Sequence, residues 1–239
     1  MRKTLISLLL ASTLLPLSAF AQDFYVAPRL GYGTLKGTFK FDEADVSSIK
    51  IGSQSKGRAI LSLAVGYDFK RQFFLPIRAE LEYAYLGNSS KTRDFSGSGR
   101  VDDIPLSIAG NAKTTLGAST FFANTYFDFH NSSAFTPYVG VGLGMSFLSA
   151  KAEGSATIAG GGITVPDEPF KYGKKTSSNF AWNLGAGAAW KVTNSVVLDL
   201  GYRYADLGKA RTRYDEDDTR VKTDNVKSHQ FLLGARFSF

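Results

Sequence analysis

Residues 230–239 read Gln-Phe-Leu-Leu-Gly-Ala-Arg-Phe-Ser-Phe. Phe231, Leu233, Ala235, Phe237 and Phe239 take alternate positions, with Gln230, Leu232, Gly234, Arg236 and Ser238 between them. A period of two marks a β-strand, because successive side chains point to opposite faces. One face here is apolar throughout, and the other is mostly small or polar.

The same alternation recurs upstream. It runs through Val196–Tyr204, Phe180–Trp190 and Val139–Phe147 in the second half. In the first half it runs through Phe24–Tyr32, Leu61–Phe69, Ile77–Tyr85 and Phe121–Phe129. With the closing stretch that makes eight strands. Pro28 has no N–H for a ladder, so a local break or bulge is expected there. Connections are short near Lys70–Phe73, His130–Ser133 and Val192–Ser195, and long over 37–57, 90–113, 152–178 and 208–228. Short turns alternating with long loops are the layout of an all-β, eight-stranded antiparallel up-and-down barrel spanning an outer membrane. The even strand count puts both termini on the turn side.

The rings fit that orientation. Outward residues near the loop side are Tyr32, Tyr83, Tyr85, Phe147, Phe180, Trp182, Tyr202, Tyr204 and Phe231. Near the turn side they are Phe24, Tyr67, Phe69, Phe127, Phe129, Trp190, Phe237 and Phe239. Between the two levels the outward face is aliphatic and uncharged. Amphipathic rings favour the headgroup region, so two belts flanking an aliphatic band describe a lipid-facing surface.

The front end agrees. Arg2 and Lys3 precede the apolar run Leu5–Leu17, and Ala19-Phe20-Ala21 has the small-x-small form of a cleavage site. Residues 1–21 read as a secretory signal peptide and 22–239 as the barrel. No other stretch is long and apolar enough for a transmembrane helix. The chain has no cysteine, so an exported form takes its stability from a large core, a metal or a membrane rather than from disulfides, and its 24 glycines and 19 phenylalanines suit a β-protein with tightly packed strands. The net charge is +7, but basic and acidic residues interleave, which argues against nucleic acid as a partner.

The inward positions carry Arg29, Asp68, Arg78, Glu80, Glu82, Asp128, Lys191, Asp199, Arg203 and Arg236, five of each sign. Unpaired charges at mid-height would be costly, so a salt-bridged network is expected. An eight-stranded barrel is just wide enough for side chains to fill it. The network is then a plug, or alternatively a narrow gated pore. The glycines at 140, 142, 144, 185 and 187 leave room for water or for long arginines of the facing wall.

Enzyme chemistry is poorly supplied. His130 falls in a turn. Ser228 and His229 are neighbours on a strand, so they face opposite ways and make no nucleophile–base pair. Asp224 could still approach His229, which keeps a lipid A-modifying enzyme as a remote alternative. Gly31-Tyr32-Gly33 and Ala159-Gly160-Gly161-Gly162 precede no helix and are read as strand packing and loop flexibility. No cofactor or metal is expected.

The loops are polar, with Arg211–Arg220 densely charged and able to extend the strands as a hairpin. Phe39, Phe41, Phe95, Phe170, Tyr172 and Tyr214 offer contact points for a host receptor or glycan. Basic residues gather where strands meet loops: Lys36, Arg58, Lys91, Arg93, Lys113, Lys151, Lys174, Lys175, Lys209 and Lys227. At that level they form a collar suited to lipopolysaccharide phosphates.

Gly201-Tyr202-Arg203-Tyr204 with Leu207-Gly208-Lys209, and the closing Gly234–Phe239, resemble the last two strands of opacity-family, OmpA-like outer-membrane proteins. The terminal pattern of Phe231, Leu233, Phe237 and Phe239 resembles the signal read by the barrel-assembly machinery. The resemblance implies a monomeric surface antigen and adhesin of a Gram-negative outer membrane, in a family often classed with porins. It implies loops outside the cell; because the barrel pattern runs to Phe239, no separate peptidoglycan-binding domain of the OmpA type is expected. A small porin or structural protein is the alternative.

Overall fold

The computed structural model describes residues 23–42, 50–101, 104–212, 220–223 and 225–239. The leader read at 1–21, Asp224, the ring of Tyr214 and the side chains of Phe39 and Phe41 lie outside the described residues. Each alternating stretch forms a strand. In chain order they are β1 (Phe24–Asp42), β2 (Lys50–Asp68), β3 (Ile77–Val101), β4 (Ile104–Asp128), β5 (Phe135–Gly160), β6 (Ile163–Lys191), β7 (Val196–Asp206), a short β8 (Arg220–Thr223) and β9 (Lys227–Ser238). Neighbours pair antiparallel, and β9 pairs with β1 to close the ring. β8 continues β9 past an irregularity and pairs with the upper end of β1, so eight strands make the barrel.

The outer face explains the solvent. Leu30, Leu63, Leu143, Leu184, Leu200 and Leu233 are each more than half exposed. At about 25 cal/mol per Å² of apolar surface, that wall is unfavourable in water and stable against hydrocarbon. The rings form the two expected belts. Tyr32, Phe231 and Tyr202 stand in one cross-strand row on the loop side. On the turn side the Phe24 and Tyr67 rings meet at 4.9 Å, and Phe135 stacks on Trp190 at 5.7 Å.

Pro28 breaks one ladder only. It pairs in register with Leu63 of β2, but the β1–β9 pairing lapses between Val26↔Phe237 and Arg29↔Gly234 without a change of register. The result is a lapse in the hydrogen-bond ladder rather than a bulge, with Pro28 O still close to Gly234 of β9.

The turn-side connections are short as expected, one of them a single helical turn, α1 (Lys70–Phe73). The loop side is different. The stretches 90–113 and 152–178, read as loops, are hairpins that prolong β3–β4 and β5–β6. β2 leaves β3 after Ile60↔Leu86, and β7 leaves β6 after Trp182↔Asp206. Strands β3–β6 therefore rise beyond the lipid as a four-stranded blade. From Tyr85 to Val101 it adds roughly 50 Å of strand at about 3.3 Å per residue. At the tip, Gly161 and Gly162 hold φ of 58° and 80°, the left-handed pair a tight two-residue hairpin needs. Those glycines make a turn rather than a flexible loop.

Candidate functional site

The lumen is the polar centre of the molecule, and alternation puts its residues there. Seen from the turn side, Arg78 of β3 grips Asp128 of β4 through Nε at 2.7 Å and Nη2 at 2.9 Å. Tyr25 of β1 donates its hydroxyl to Glu80 at 2.8 Å. Arg29 of β1 reaches both oxygens of Glu80, at 2.7 and 2.8 Å, and Glu82 at 3.0 Å. From the far wall, Arg203 of β7 donates to Glu82 at 2.8 Å and to Gln230 of β9 at 2.8 Å. Asn124, Asn183 and Ser228 extend the chain of bonds. Arg236 and Asp199 pair separately at 2.6 Å. All eight charged groups are buried, four of each sign.

Two of the ten predicted lumen charges stand apart. Asp68 and Lys191 line the turn-side mouth with Lys70 and His130. They lie at the strand ends, where water reaches them.

Glycines and tyrosines shape the cavity together. A Cβ at Gly66 would overlap the Tyr25 ring, one at Gly140 the Tyr126 ring, and one at Gly187 the Tyr138 ring. Three glycine gaps thus take cross-strand tyrosines, a pairing that supports glycine in a sheet, whereas Gly142 meets the amides of Asn124 and Asn183, and Gly144 and Gly185 meet neighbouring backbone. Of the arginines, Arg29 lies against Gly234. The Arg78 guanidinium sits 4.8 Å from the Tyr126 ring centre and 5.1 Å from that of Tyr138. Tyr25, Tyr126, Tyr138, Asn124, Asn183 and Gln230 were not among the residues expected to fill the lumen. Their inward parity was the available signal.

Above the network the lumen turns apolar, in contrast to the polar interior expected from the inward charges. Leu35, Ile60, Leu86, Leu116, Phe122, Leu148 and Leu207 are fully buried and pack as one cluster that continues into the blade under Phe95 and Tyr172. Consecutive apolar residues such as Ile60-Leu61 and Phe231-Leu232-Leu233 are the sequence trace of strands apolar on both faces.

The basic rim divides by parity. Arg58 is a correction: it shares the inward face of Ile60, is 5% exposed, and donates from Nη1 to Gly87 O at 2.8 Å and Leu116 O at 2.9 Å. It bridges the place where β2 and β3 part. Lys91 and Arg93 are corrected too. The β3–β4 register shifts between Leu86 and Ser89, which puts both on the face of buried Ser89 and Phe95. Lys36, Lys113, Lys151 and Lys227 keep the outward phase, and Lys209 is exposed beyond β7. Lys151 at 2.5 Å and Lys113 at 3.5 Å flank Glu153, and these contacts hold its carboxyl below the ordinary range. Arg58→Met should cost about 1–3 kcal/mol, the range for losing charge-assisted bonds to buried carbonyls. Amide exchange at Gly87–Ser89 should quicken first; unchanged exchange there would show that Arg58 does not clamp the split.

Ser228 is buried in the lumen, while His229 is on the outer face with Nδ1 2.7 Å from the Tyr202 hydroxyl. The pair faces apart, as strand alternation requires.

The profile described as "Outer membrane protein beta-barrel domain" matches residues 7–239. Outer membrane protein PagN of Salmonella typhimurium is 32% identical over 213 residues, covering 87% of this chain and 84% of that one. A candidate adhesin of Rickettsia canadensis is 24% identical over 96% of this chain and 93% of its own. Among solved structures, neisserial surface protein A aligns at TM-score 0.44 and 18% identity, covering 90% of this chain and 97% of its own.

Proposed function

Because the chain belongs to the outer-membrane β-barrel family and lies in the bacterial outer membrane, we propose that it is an opacity-type surface adhesin carried on an occluded, monomeric barrel. The observation that carries this reading is the blade. Four strands rise beyond the lipid with a packed inner face, giving a rigid surface in place of mobile loops. Near its tip Ile104, Ile158, Ile163 and Val165 are 48%, 41%, 69% and 41% exposed, outside the hydrocarbon that would explain them. An exposed apolar patch with polar surroundings is the usual mark of a protein contact. The similarity to candidate adhesins of Rickettsia points the same way.

Two layers in series support occlusion, the neutralised charge network and the apolar cluster above it. In this reading the leader at 1–21 is removed on export. Phe231, Leu233, Phe237 and Phe239, all on the lipid face, serve as the assembly signal. No catalytic role is included.

The test shortens the blade and keeps the barrel. Lys91 and Thr114 are cross-strand partners, as are Glu153 and Lys171. Replacing 92–113 and 154–170 with two-residue turns therefore closes both hairpins in register. Cells bearing the shortened protein should bind epithelial cells at least tenfold less than cells bearing the full chain at equal surface amount. Undiminished binding would remove the blade as the adhesive surface.

A further inference from the structure

The seam between β1 and β9 carries two features that neither the barrel nor adhesion uses. At its top, Lys36 and Lys227 are direct cross-strand partners. Both are exposed on the outward face, and neither has an ion-pair partner among the described residues. Asp206 stands opposite Lys227 on the other side, but its carboxylate accepts from Gly208 N at 3.0 Å and Asn225 Nδ2 at 3.5 Å. Like charges directly opposite in a sheet are unfavourable unless an anion lies between them. Lower on the same seam lies the lapse in pairing at Pro28. By register Pro28 stands opposite Ala235, so two small outward side chains meet where the ladder lapses. The spot lies in a shallow recess of about 600 Å³, open to the lipid, that runs from Leu198 and Leu233 across the seam to Leu63 and Tyr83.

We propose that this seam seats one outer-leaflet lipid that bears a phosphate headgroup and long acyl chains, of the lipid A class. The phosphate bridges Lys36 and Lys227, and one acyl chain follows the seam past Tyr32 and Phe231 into the recess over Pro28 and Ala235. The dimensions agree. Eight residues of tilted strand separate Lys36 from Pro28, about 20 Å along the barrel axis. One leaflet with its headgroups is also about 20 Å deep. The lysine pair alone would take any phosphate and the recess alone any chain; their alignment on one seam selects a molecule with both.

Native mass spectrometry of the detergent-solubilised barrel, titrated with bisphosphorylated hexa-acyl lipid A, tests this. Wild type should bind one copy. Lys36→Gln/Lys227→Gln should weaken that binding about tenfold, and Ala235→Leu, which puts a bulkier side chain on the floor of the recess at the seam, by a similar factor. Lys113→Gln/Lys151→Gln, which alters lysines already held by Glu153, should leave it unchanged. The fully deacylated bisphosphorylated disaccharide and a phosphate-free glycolipid should each bind at least tenfold more weakly than lipid A. All substituted side chains are on the outer face, and heat-modifiable gel mobility verifies folding. The proposal fails if Ala235→Leu binds like wild type, or if the deacylated headgroup binds as well as lipid A. It fails equally if the Lys113/Lys151 variant loses as much as the seam variant, since a diffuse collar would then suffice.

Discussion

Glu82→Ala is expected to destabilise the barrel by about 3–5 kcal/mol, the range for removing one partner from a buried ion pair. Glu82 of β3 is fully buried and accepts from Arg29 of β1 at 3.0 Å and, across the lumen, from Arg203 of β7 at 2.8 Å. The two guanidiniums do not suffer equally. Arg29 keeps its two-pronged hold on Glu80, whereas Arg203 is left with the neutral amide of Gln230. The penalty is therefore mainly one uncompensated charge in a medium that solvates it poorly. A second variant isolates that cause. Glu82→Ala/Arg203→Met removes the stranded cation with its partner and should regain most of the loss, because an apolar replacement of a buried pair is often neutral. Urea titration of the protein in lipid vesicles measures both. A single-variant loss under 1 kcal/mol, or a double variant no better than the single, would mean that water rather than Glu82 compensates Arg203.

The polar half of this lumen was legible because a charge at an inward position in a lipid-facing barrel has few alternatives. Arg29, Arg78, Glu80, Glu82, Asp128, Asp199, Arg203 and Arg236 all meet partners there. The pairing pattern was not legible, since it depends on the stagger of strands far apart in sequence, as Arg203 to Glu82 shows. The rim was read less well for a specific reason. Side-chain facing has a period of two, so a one-residue irregularity reverses everything beyond it. The shift between Leu86 and Ser89 did that to Lys91 and Arg93. Arg58 differs: its parity with Ile60 is visible in the sequence, and that inward face, rather than its nearness to the rim, sets its partners. The blade was hidden because Ser, Thr, Gly and Ala dominate 90–113 and 152–178, and sparse apolar residues such as Phe95, Ile108 and Phe170 carry the alternation.

The upper layer yields the other large effect. Phe122→Ala should cost about 3–5 kcal/mol, as expected for truncating a fully enclosed aromatic side chain. Phe122 is completely buried on β4, at the boundary where the charged network gives way to leucines, and the Arg203 guanidinium carbon lies 5.7 Å from its ring centre. Part of the loss is transfer and cavity, and part is the ring's attraction for a desolvated cation. A double-mutant cycle separates them. Arg203→Met combined with Phe122→Ala should show a coupling of about 0.5–2 kcal/mol. Ion conductance in a planar bilayer should nevertheless stay at background in Phe122→Ala. In the occluded barrel proposed above, Leu35, Ile60, Leu86, Leu116, Leu148 and Leu207 remain packed at the loop-side end, and an apolar void admits water poorly. Stable current from Phe122→Ala alone would show that this one ring, rather than two layers in series, keeps the lumen shut.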